Sequence, residues 1–271
     1  MKVDLSTKID LPAETVWAEV QTARLLIHVA WPLLRFVPAG SEPLDAFKPG
    51  GRYLVKLRLF GILPCGTQWI VTSLHRSQQG EWPKRLRDDG YGAIIRKWDH
   101  WITIAPNLDG STSYQDKIEI SAGILTPLIW AFAQLFYRHR QRRWRGLAQT
   151  IRARRFIEQE MALFEKSRKN GDIATAWNAL ERAHIASQPY LGPHLSNHRA
   201  MLAFAVQQRD WREVTGQIVR LALAPFGAVT GRIPIGNTGR SNVSAFQPMP
   251  IPMICVTPSR TNSHEELMTT V

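Results

Sequence analysis

The stretch GILTPLIWAFAQLFY at residues 123–137 is the longest apolar segment of the chain, and it decides the fold. Pro127 suits the first turn of a helix. Apolar side chains recur at helical spacing on one face of this stretch: Leu125, Leu128, Phe132, Leu135 and Phe136. With 15 residues the run is shorter than the roughly 18 that a membrane-spanning helix needs. We therefore expect a long helix, continuing to about Arg155, whose apolar face packs on a protein core.

The residues before this helix read mainly as strands. Val3, Leu5, Thr7 and Ile9 alternate with polar residues, which is the period of a half-buried strand. Short helices are expected at 12–20 and 23–34, and further strands at 53–57, 67–74, 84–88, 94–104 and 113–120. A run of antiparallel strands followed by one long helix predicts an α+β fold, with the helix lying across a curved sheet.

The pattern becomes wholly helical after about Phe156, with a break at Asn170-Gly171 and another at Gln188-Pro189. The expected elements are short antiparallel helices that form hairpins. We accordingly predict a first domain at residues 1–150, a small all-α domain at 156–253, and a disordered tail at 254–271.

Charge and cysteine content exclude several classes of protein. The formal net charge is +12, and eight arginines between Arg138 and Arg155 carry +8 of it. A nucleic-acid partner is therefore unlikely, because such proteins usually spread their basic residues over a recognition face. Cys65 and Cys255 form no metal-binding or disulfide spacing, and no apolar leader opens the chain. These features predict a cytoplasmic protein.

The first domain resembles the SRPBCC or START-like helix-grip superfamily, which includes polyketide cyclases/dehydrases and lipid-transfer proteins. The resemblance rests on IDLPAETVW at 9–17, PGG at 49–51, RKWDH at 96–100, AGILTP at 122–127 and the basic segment 137–145. It implies an apolar cavity between the sheet and the last helix, which binds lipids, polyketides or steroids. It does not decide between binding and catalysis.

The second domain resembles an uncharacterised bacterial family of helical domains. The residues that carry this resemblance are AWNALERAH at 176–184, His194 with His198, GRIPIGNTG at 231–239 and PMPIP at 248–252. It implies no activity. The glycine-rich stretch is no nucleotide-binding loop, because it has no lysine before a serine or threonine. We expect an ordered turn that packs on the helices.

Strand alternation predicts the residues that line the cavity. The ligand-binding candidates are Tyr53, Val55, Leu57, Trp98, Ile102, Tyr114, Ile118, Leu128, Phe132, Leu135 and Phe136. Trp98 and Ile102 lie on one predicted strand, and Tyr114 and Ile118 lie on the next. These residues share one face of the sheet only if the numbers of the two residues in each cross-strand pair add up to an even number. That condition requires a turn of three or five residues near Asp109.

A paired-number sum of 218 places Asp116 opposite Ile102 and diagonal to His100. This register sets an imidazole and a carboxylate in an apolar wall, where they are the catalytic candidates for acid–base chemistry or ligand orientation. The alternatives are a pair at the rim of the cavity in contact with water, or an outward-facing strand. We favour these alternatives, because buried pairs are often structural.

The arginine-rich segment 138–155 has two interpretations. An apolar run followed by arginines can lie on an anionic membrane surface and deliver a lipid there. The same apolar face is, however, needed to close the cavity, and one face cannot serve both roles. We therefore favour arginines that are solvated or pair with the second domain. Replacing Arg138, Arg142, Arg143 and Arg145 by glutamine should leave the first domain folded.

The histidines of the second domain form a candidate metal site. Glu181 and His184 are three residues apart, His194 and His198 are four apart, and the connection between the two helices is short. One carboxylate and three imidazoles suit Zn or Fe, although no complete metal motif is present and we expect no cofactor otherwise. Core histidines with internal hydrogen bonds are the favoured alternative.

Three functions follow from these patterns. The first is binding or carriage of an apolar small molecule without catalysis. The second is a polyketide cyclase/dehydrase-like lyase or isomerase that uses His100 and Asp116. The third is a protein-interaction module in which the helical domain holds a partner protein. We favour the first.

Overall fold

The computed structural model describes residues 1–40, 47–48, 50–75, 81–230, 236–244 and 246–252, with only the backbone of 225–230. The chain separates into two compact units, Met1–Thr150 and Ile151–Val271, which are described one at a time. The predicted tail at 254–271 lies outside the described residues.

The first unit consists of a sheet, two short helices and the first part of a long helix. In chain order its elements are β1 (Lys2–Ile9), α1 (Ala13–Val20), α2 (Ala23–Ala30), β2 (Leu34–Pro38), β3 (Arg52–Leu59), β4 (Leu63–His75), β5 (Lys84–Gly92), β6 (Lys97–Pro106), β7 (Thr112–Ser121) and α3 (Thr126–Lys169). A single 3-10 turn, Gly123–Leu125, separates β7 from α3. The described residues form one antiparallel sheet of seven strands in the order β1-β7-β6-β5-β4-β3-β2. The predicted α+β helix-grip fold is confirmed.

The pairing of β6 with β7 has the register that the alternation argument requires. Ile102 lies opposite Asp116, and Pro106 opposite Thr112, so that the paired numbers sum to 218. The connection is the five-residue turn 107–111, closed by a hydrogen bond from the Asn107 amide to the Ser111 carbonyl at 2.8 Å. Because this register is even, the apolar residues of both strands face the same side of the sheet.

Helix α3 covers that side of the sheet. The buried cluster between them consists of Val3, Ala30, Leu34, Trp98, Ile118, Ile120, Ala133, Phe136 and Tyr137. The helix contributes a stripe of residues spaced three and four apart, as the amphipathic pattern of the sequence predicts.

Several strand ends differ from the sequence predictions by two to four residues, and two differences are larger. The second short helix ends at Ala30, and residues 34–38 are the edge strand β2. Trp31 precedes a proline and has extended backbone angles, which stop the helix there. Helix α3 continues beyond Arg155 to Lys169, because the chain has no helix-stopping residue before Gly171, whose φ is +75°.

The second unit holds the end of α3 and three further helices. These are α4 (Ile173–Ser187), α5 (Leu191–Gln208) and α6 (Trp211–Thr230). Its core is formed by Phe164, Ala176, Trp177, Ala179, Leu180, Met201, Phe204 and Ala205. In the part of the chain that the structure describes, none of the helices has the length and apolar content needed to cross a bilayer.

The packing of α3 on the sheet gives a testable contrast in stability. Ile118 is fully buried under α3, whereas Leu135 is 60% exposed on the opposite side of that helix. We expect Ile118→Ala to lower the free energy of unfolding by about 2–5 kcal/mol, through lost burial and a residual cavity. Leu135→Ala should change it by less than about 0.5 kcal/mol. Urea unfolding followed by circular dichroism measures both, and equal losses would contradict this assignment of the helix faces.

Candidate functional site

A cavity of about 600 Å³ lies between the sheet and α3 in the first unit. Its wall is mainly apolar, with contributions from Ile70, Leu86, Ile102, Phe132 and Phe136 among others. Small-molecule sites generally occupy roughly 300–1,000 Å³ and have mostly apolar walls with a few polar groups. The cavity therefore has the size and the surface of a ligand site.

The mouth of the cavity is formed by lining residues that are also exposed to solvent. Ile94 in the β5–β6 connection, Leu125 in the 3-10 turn before α3 and Leu128 in the first turn of α3 are 50%, 44% and 70% exposed.

Seven of the eleven residues predicted to contact a ligand line the cavity. They are Leu57, Trp98, Ile102, Tyr114, Leu128, Phe132 and Phe136, and His100 lines it as well. The other four do not. Val55 and Ile118 are fully buried in packed regions, Tyr53 packs edge-on against Phe47, and Leu135 lies on the exposed face of α3.

Two of these four differences, at Ile118 and Leu135, follow from the way α3 packs on the sheet. Alternation correctly places Ile118 on the inner face, but α3 closes directly on it, since Ile118, Ala133 and Tyr137 belong to one packed cluster. Leu135 immediately precedes Phe136, and consecutive residues on a helix point about 100° apart. The inner stripe of α3 therefore passes through Phe136 and leaves Leu135 in solvent.

His100 and Asp116 form a hydrogen-bonded pair at the wall of the cavity. The distance from His100 Nε2 to Asp116 Oδ1 is 2.8 Å, and both side chains are almost completely buried. Asp116 does not itself line the cavity, so it stands behind the imidazole. The pair is therefore neither a rim pair in contact with water nor on an outward-facing strand.

Asp116 accepts three hydrogen bonds in all. Besides His100, the Tyr114 hydroxyl donates to Oδ1 at 3.1 Å and the Gln141 side-chain amide donates to Oδ2 at 3.0 Å. Burial alone would raise the pKa of this carboxyl, but the hydrogen bonds from His100 and Gln141 and the charge of Arg140 hold it below its ordinary value. Burial lowers the pKa of His100. The pair is therefore an ionised carboxylate that accepts the N–H of a neutral imidazole.

Arg140 brings a positive charge into the same wall. Its side chain is buried and lines the cavity, with the guanidinium 4.9 Å from the ring centre of Tyr137. Burial opposes this charge, but the neighbouring acidic groups Tyr137, Asp116 and Asp88 raise its pKa above the ordinary value. Its Nε atom is buried without a hydrogen-bond partner, and no described residue accepts a hydrogen bond from the guanidinium. This is an arginine without an acceptor of its own.

Asp88 is a second carboxyl group near Arg140 and, unlike Asp116, it faces the cavity. It lines the cavity from β5, and its Oδ1 accepts a hydrogen bond from the Val71 amide at 2.9 Å. Burial raises the pKa of this carboxyl to about 7, although the Val71 amide and the charge of Arg140 act in the opposite direction. At neutral pH both protonation states are populated, which suits a group that exchanges protons.

The sequence predictions missed Arg140 and Asp88, although each carries a positional signal. Arg140 follows Phe136 by four residues and Tyr137 by three, which places it on the apolar face of α3. Asp88 follows the buried Leu86 by two residues in a strand, which places it on the inner face of the sheet.

The arginine-rich segment is only partly solvated. Arg143 donates to the carbonyl of His28 at 3.2 Å, and Arg145 donates to the Thr7 hydroxyl at 2.7 Å. Arg138 is exposed and bonds only to Gln134, one turn earlier on the same helix. The prediction that these arginines are solvated or pair with the second domain is therefore wrong for Arg140, which is buried, and for Arg143. Arg143 and Arg145 attach α3 to the rest of the first unit.

The second unit brings three histidines together at the candidate metal site. His184 of α4 and His194 and His198 of α5 are buried, and each offers a ring nitrogen within 4.8 Å of the others. Their ring centres lie 4.6–4.7 Å apart, so the three imidazoles form a nearly equilateral triangle. Burial is the main reason that the pKa values of all three are lowered, that of His194 to about 4. The three rings are neutral at physiological pH.

Glu181 does not join this cluster, in contrast to its predicted place among the metal ligands. Its carboxylate pairs with the Arg240 guanidinium at 3.3 Å. Arg240 is held in place by the Trp177 ring, 3.7 Å from the guanidinium carbon. The spacing of three residues places Glu181 near His184 on the helix. Its carboxylate nevertheless pairs with the Arg240 guanidinium, because a charge-assisted hydrogen bond to arginine is stronger than one to a neutral imidazole.

The segment 236–239 of the glycine-rich stretch packs on the histidines, as an ordered turn. The Asn237 carbonyl lies 2.9 Å from His184 Nδ1. Gly239 has a φ of +81°, and a Cβ on it would lie 2.8 Å from the His184 ring, so glycine is required on both grounds. The residues 231–235 of this stretch are outside the described part of the chain.

The comparisons with known proteins find families of unknown function on both parts of the chain. A family model described as "Domain of unknown function (DUF8410)" matches residues 7–148, which is more than half of the chain. The chain belongs to this family. A second model, "Protein of unknown function (DUF3703)", matches residues 151–256. These DUF8410 and DUF3703 matches follow one another along the chain and confirm that the first domain is fused to a second domain of unknown function.

Solved structures similar to this DUF8410 member cover slightly more than half of it. A START superfamily protein from Mycobacterium smegmatis is 14% identical over 55% of this chain and 98% of its own, with a TM-score of 0.39. A protein from Chromobacterium violaceum is 16% identical over 54% and 96%, with a TM-score of 0.40. One from Thermus thermophilus is 11% identical over 56% and 99%, also at 0.40. A comparison with curated proteins found no match to this chain.

The environment of Asp88 generates a prediction about pH. The pKa of Asp88 is raised to about 7 in the folded protein, so the folded state binds this proton more tightly than the unfolded state does. The resulting stabilisation of the fold is complete below the ordinary pKa of 3.8 and is lost as the pH rises through 7. We expect Asp88→Asn to stabilise the protein relative to wild type above pH 7 and not below pH 4. Carbon NMR of the labelled carboxyl should show a titration near pH 7 that the variant lacks.

Asp89→Asn is the matched control, because the neighbouring carboxylate is 50% exposed and lies on the same strand. It should keep the transition near pH 7. Loss of that transition in Asp89→Asn, or its persistence in Asp88→Asn, would contradict the assignment.

Proposed function

We propose that the first unit binds and carries an apolar small molecule that bears one acidic or hydrogen-bond-accepting group. The observation that carries this proposal is Arg140, a buried guanidinium in the wall of an apolar cavity, for which no described residue serves as acceptor. A buried charge without a hydrogen-bond acceptor is costly, and a bound carboxylate or carbonyl would offset that cost.

The ligand class follows from the shape and chemistry of the wall. A cavity of about 600 Å³ accommodates a lipid, polyketide or steroid-like body in contact with Ile102, Phe132 and Phe136. Arg140 then receives the polar end of the ligand, and Asp88 and His100 provide further hydrogen bonds. The proposed setting is the cytoplasm, where the exposed free thiol of Cys65 stays reduced.

A fluorescent fatty acid, cis-parinaric acid, is the probe for this proposal. We expect one molecule of this probe to bind to each full-length chain. Phe132→Asp should abolish binding, because it places a charge in the apolar wall, whereas Leu135→Asp on the exposed face of α3 should not. Fluorescence titration measures both, with circular dichroism as the check on folding. A wild-type chain that binds no apolar probe would contradict the proposal.

The same titration tests the role of Arg140. The free acid should bind at least about tenfold more tightly than its methyl ester, since a charge-assisted hydrogen bond contributes about 1.5–3 kcal/mol. Arg140→Leu should remove this difference and keep the affinity for the ester. Arg138→Leu, an exposed arginine on the same helix, should leave the difference intact. Equal ratios in the two variants would rule out Arg140 as the anchor.

A second candidate function is a lyase or isomerase, which is favoured by the proton-exchanging groups in the wall. Asp88 has a pKa of about 7, and His100 is a neutral imidazole oriented by Asp116. Two such groups facing one cavity suit a dehydration, in which the Cα proton and the β-hydroxyl of a 3-hydroxyacyl compound leave together as water.

Mass spectrometry of a bound 3-hydroxyacyl thioester tests this second candidate. Catalysis predicts conversion to the unsaturated product, with loss of one water, in the wild type. Asp88→Asn and His100→Gln should each lower the rate by about 100-fold or more while the thioester still binds. Binding without conversion would leave carriage as the function.

A further inference from the structure

Hydrogen bonds outside the triangle fix the protonation of two of its three imidazoles. His184 Nδ1 lies 2.9 Å from the Asn237 carbonyl, and a carbonyl oxygen can only accept. Nδ1 of His184 is therefore the protonated nitrogen. In a neutral ring this leaves Nε2 as a bare lone pair.

The same reasoning applies to His198 through Gln217. His198 Nδ1 lies 2.7 Å from Gln217 Oε1, while Gln217 Nε2 donates to Glu213 Oε1 and to the Gly239 carbonyl, each at 2.8 Å. Turning the amide over would bring its oxygen against two other oxygens, so its orientation is determined. His198 Nδ1 therefore carries the proton, and its Nε2 is a bare lone pair as well.

These two lone pairs face each other. The distance between His184 Nε2 and His198 Nε2 is 3.2 Å, with no proton available for a hydrogen bond between them. His194 adds a ring that is 4% exposed and whose Nδ1 atom has no hydrogen-bond partner. Two lone pairs that face each other without a proton between them, beside a third buried imidazole, form an arrangement that a bound cation would stabilise.

We propose that His184, His194 and His198 bind one divalent transition-metal ion, of the kind that prefers imidazole, with Zn²⁺ first and Fe²⁺ next. Nε2 of His184 and Nε2 of His198 are two of the ligands, and His194 supplies the third ring nitrogen. Two nitrogens bound to one tetrahedral ion at about 2.0–2.1 Å lie about 3.3 Å apart, close to the separation observed here.

The hydrogen-bond partners of His184 and His198 outside the cluster are those expected around metal-bound histidines. In such sites the second ring nitrogen donates to a carbonyl or carboxylate, which orients the ring and increases its basicity. Asn237 does this for His184 with its backbone. Gln217 does it for His198 and is itself tied to the buried carboxylate of Glu213.

Among the described residues, no carboxylate or cysteine joins the three histidines as a fourth ligand. Glu181 pairs with Arg240, and Glu213 accepts from the amide and hydroxyl of Ser241.

The test uses the full-length chain with no affinity tag, stripped with a chelator and titrated with Zn²⁺ and with Co²⁺ as a spectroscopic substitute. We expect one equivalent to bind, a rise in melting temperature with Zn²⁺, and the intense visible absorption of tetrahedral Co²⁺. X-ray absorption at the zinc edge should show three imidazole nitrogens at about 2.0–2.1 Å.

His194→Gln is the decisive variant, because His194 Nδ1 has no partner and its removal breaks no described hydrogen bond. Its metal-free melting temperature should stay near that of the wild type. Its affinity for Zn²⁺ should fall by at least about 100-fold, since loss of an outer partner alone typically lowers affinity 10–100-fold. Glu181→Gln is the matched control on α4 and should bind Zn²⁺ as the wild type does.

Three outcomes would overturn the proposal. The first is a stripped wild-type chain that binds no more Co²⁺ than His194→Gln binds. The second is a Glu181→Gln variant that loses as much affinity as His194→Gln. The third is a zinc-edge spectrum without imidazole nitrogens, and this measurement needs no variant to fold.

Discussion

The five-residue turn at 107–111 sets the register between β6 and β7, and the polar side of the cavity depends on that register. It puts Asp116 opposite Ile102 and within hydrogen-bond distance of His100. Because side chains alternate along a strand, a slip of one residue would turn Asp116 into solvent and Lys117 into the core. His100 and Gln141 would then lose their acceptor, and Arg140 would lose a buried negative charge near it.

The charged groups that this register brings together differ in the hydrogen bonds that they make. Asp116 is surrounded by donors, so its ionised form is stable even though it is buried. Arg140 is kept charged by its surroundings, yet none of the described residues accepts from it. Asp88 holds a proton part of the time. An interior that satisfies one charge fully and leaves another without an acceptor is typical of a site formed for a ligand rather than of a core formed for stability.

The sequence predicted those features that follow from local periodicity. Alternation and helix spacing placed Ile102, Phe132 and Phe136 correctly, and the even-register argument led to the His100–Asp116 pair. Strand β2 was missed because the Trp31-Pro32 stop within an apolar run gives no periodic signal of its own. Ile118 and Leu135 show the limit of alternation, which assigns a face and does not show where a helix closes on it.

The sequence likewise predicted some features of the histidine cluster and missed others. The spacing of His194 and His198 on one helix was readable, and the separation of His184 from Glu181 was not, because Arg240 lies 59 residues from Glu181 along the chain. The roles of Gln217 and Asn237 depend on tertiary contacts for which the local sequence carries no pattern. Residues that act only through a distant partner are the ones that sequence periodicity cannot identify.

The backbone carbonyl of Asn237 has a consequence for how this part of the chain tolerates change. Every amino acid carries that carbonyl, so the proton on His184 Nδ1 does not depend on which side chain occupies position 237, provided that the loop keeps its path. His198 depends instead on the side chain of Gln217, which a single substitution can remove. Position 239 is limited by space rather than by chemistry, because any side chain there would collide with the His184 ring. The tolerance to mutation therefore differs between two histidines that face each other at 3.2 Å.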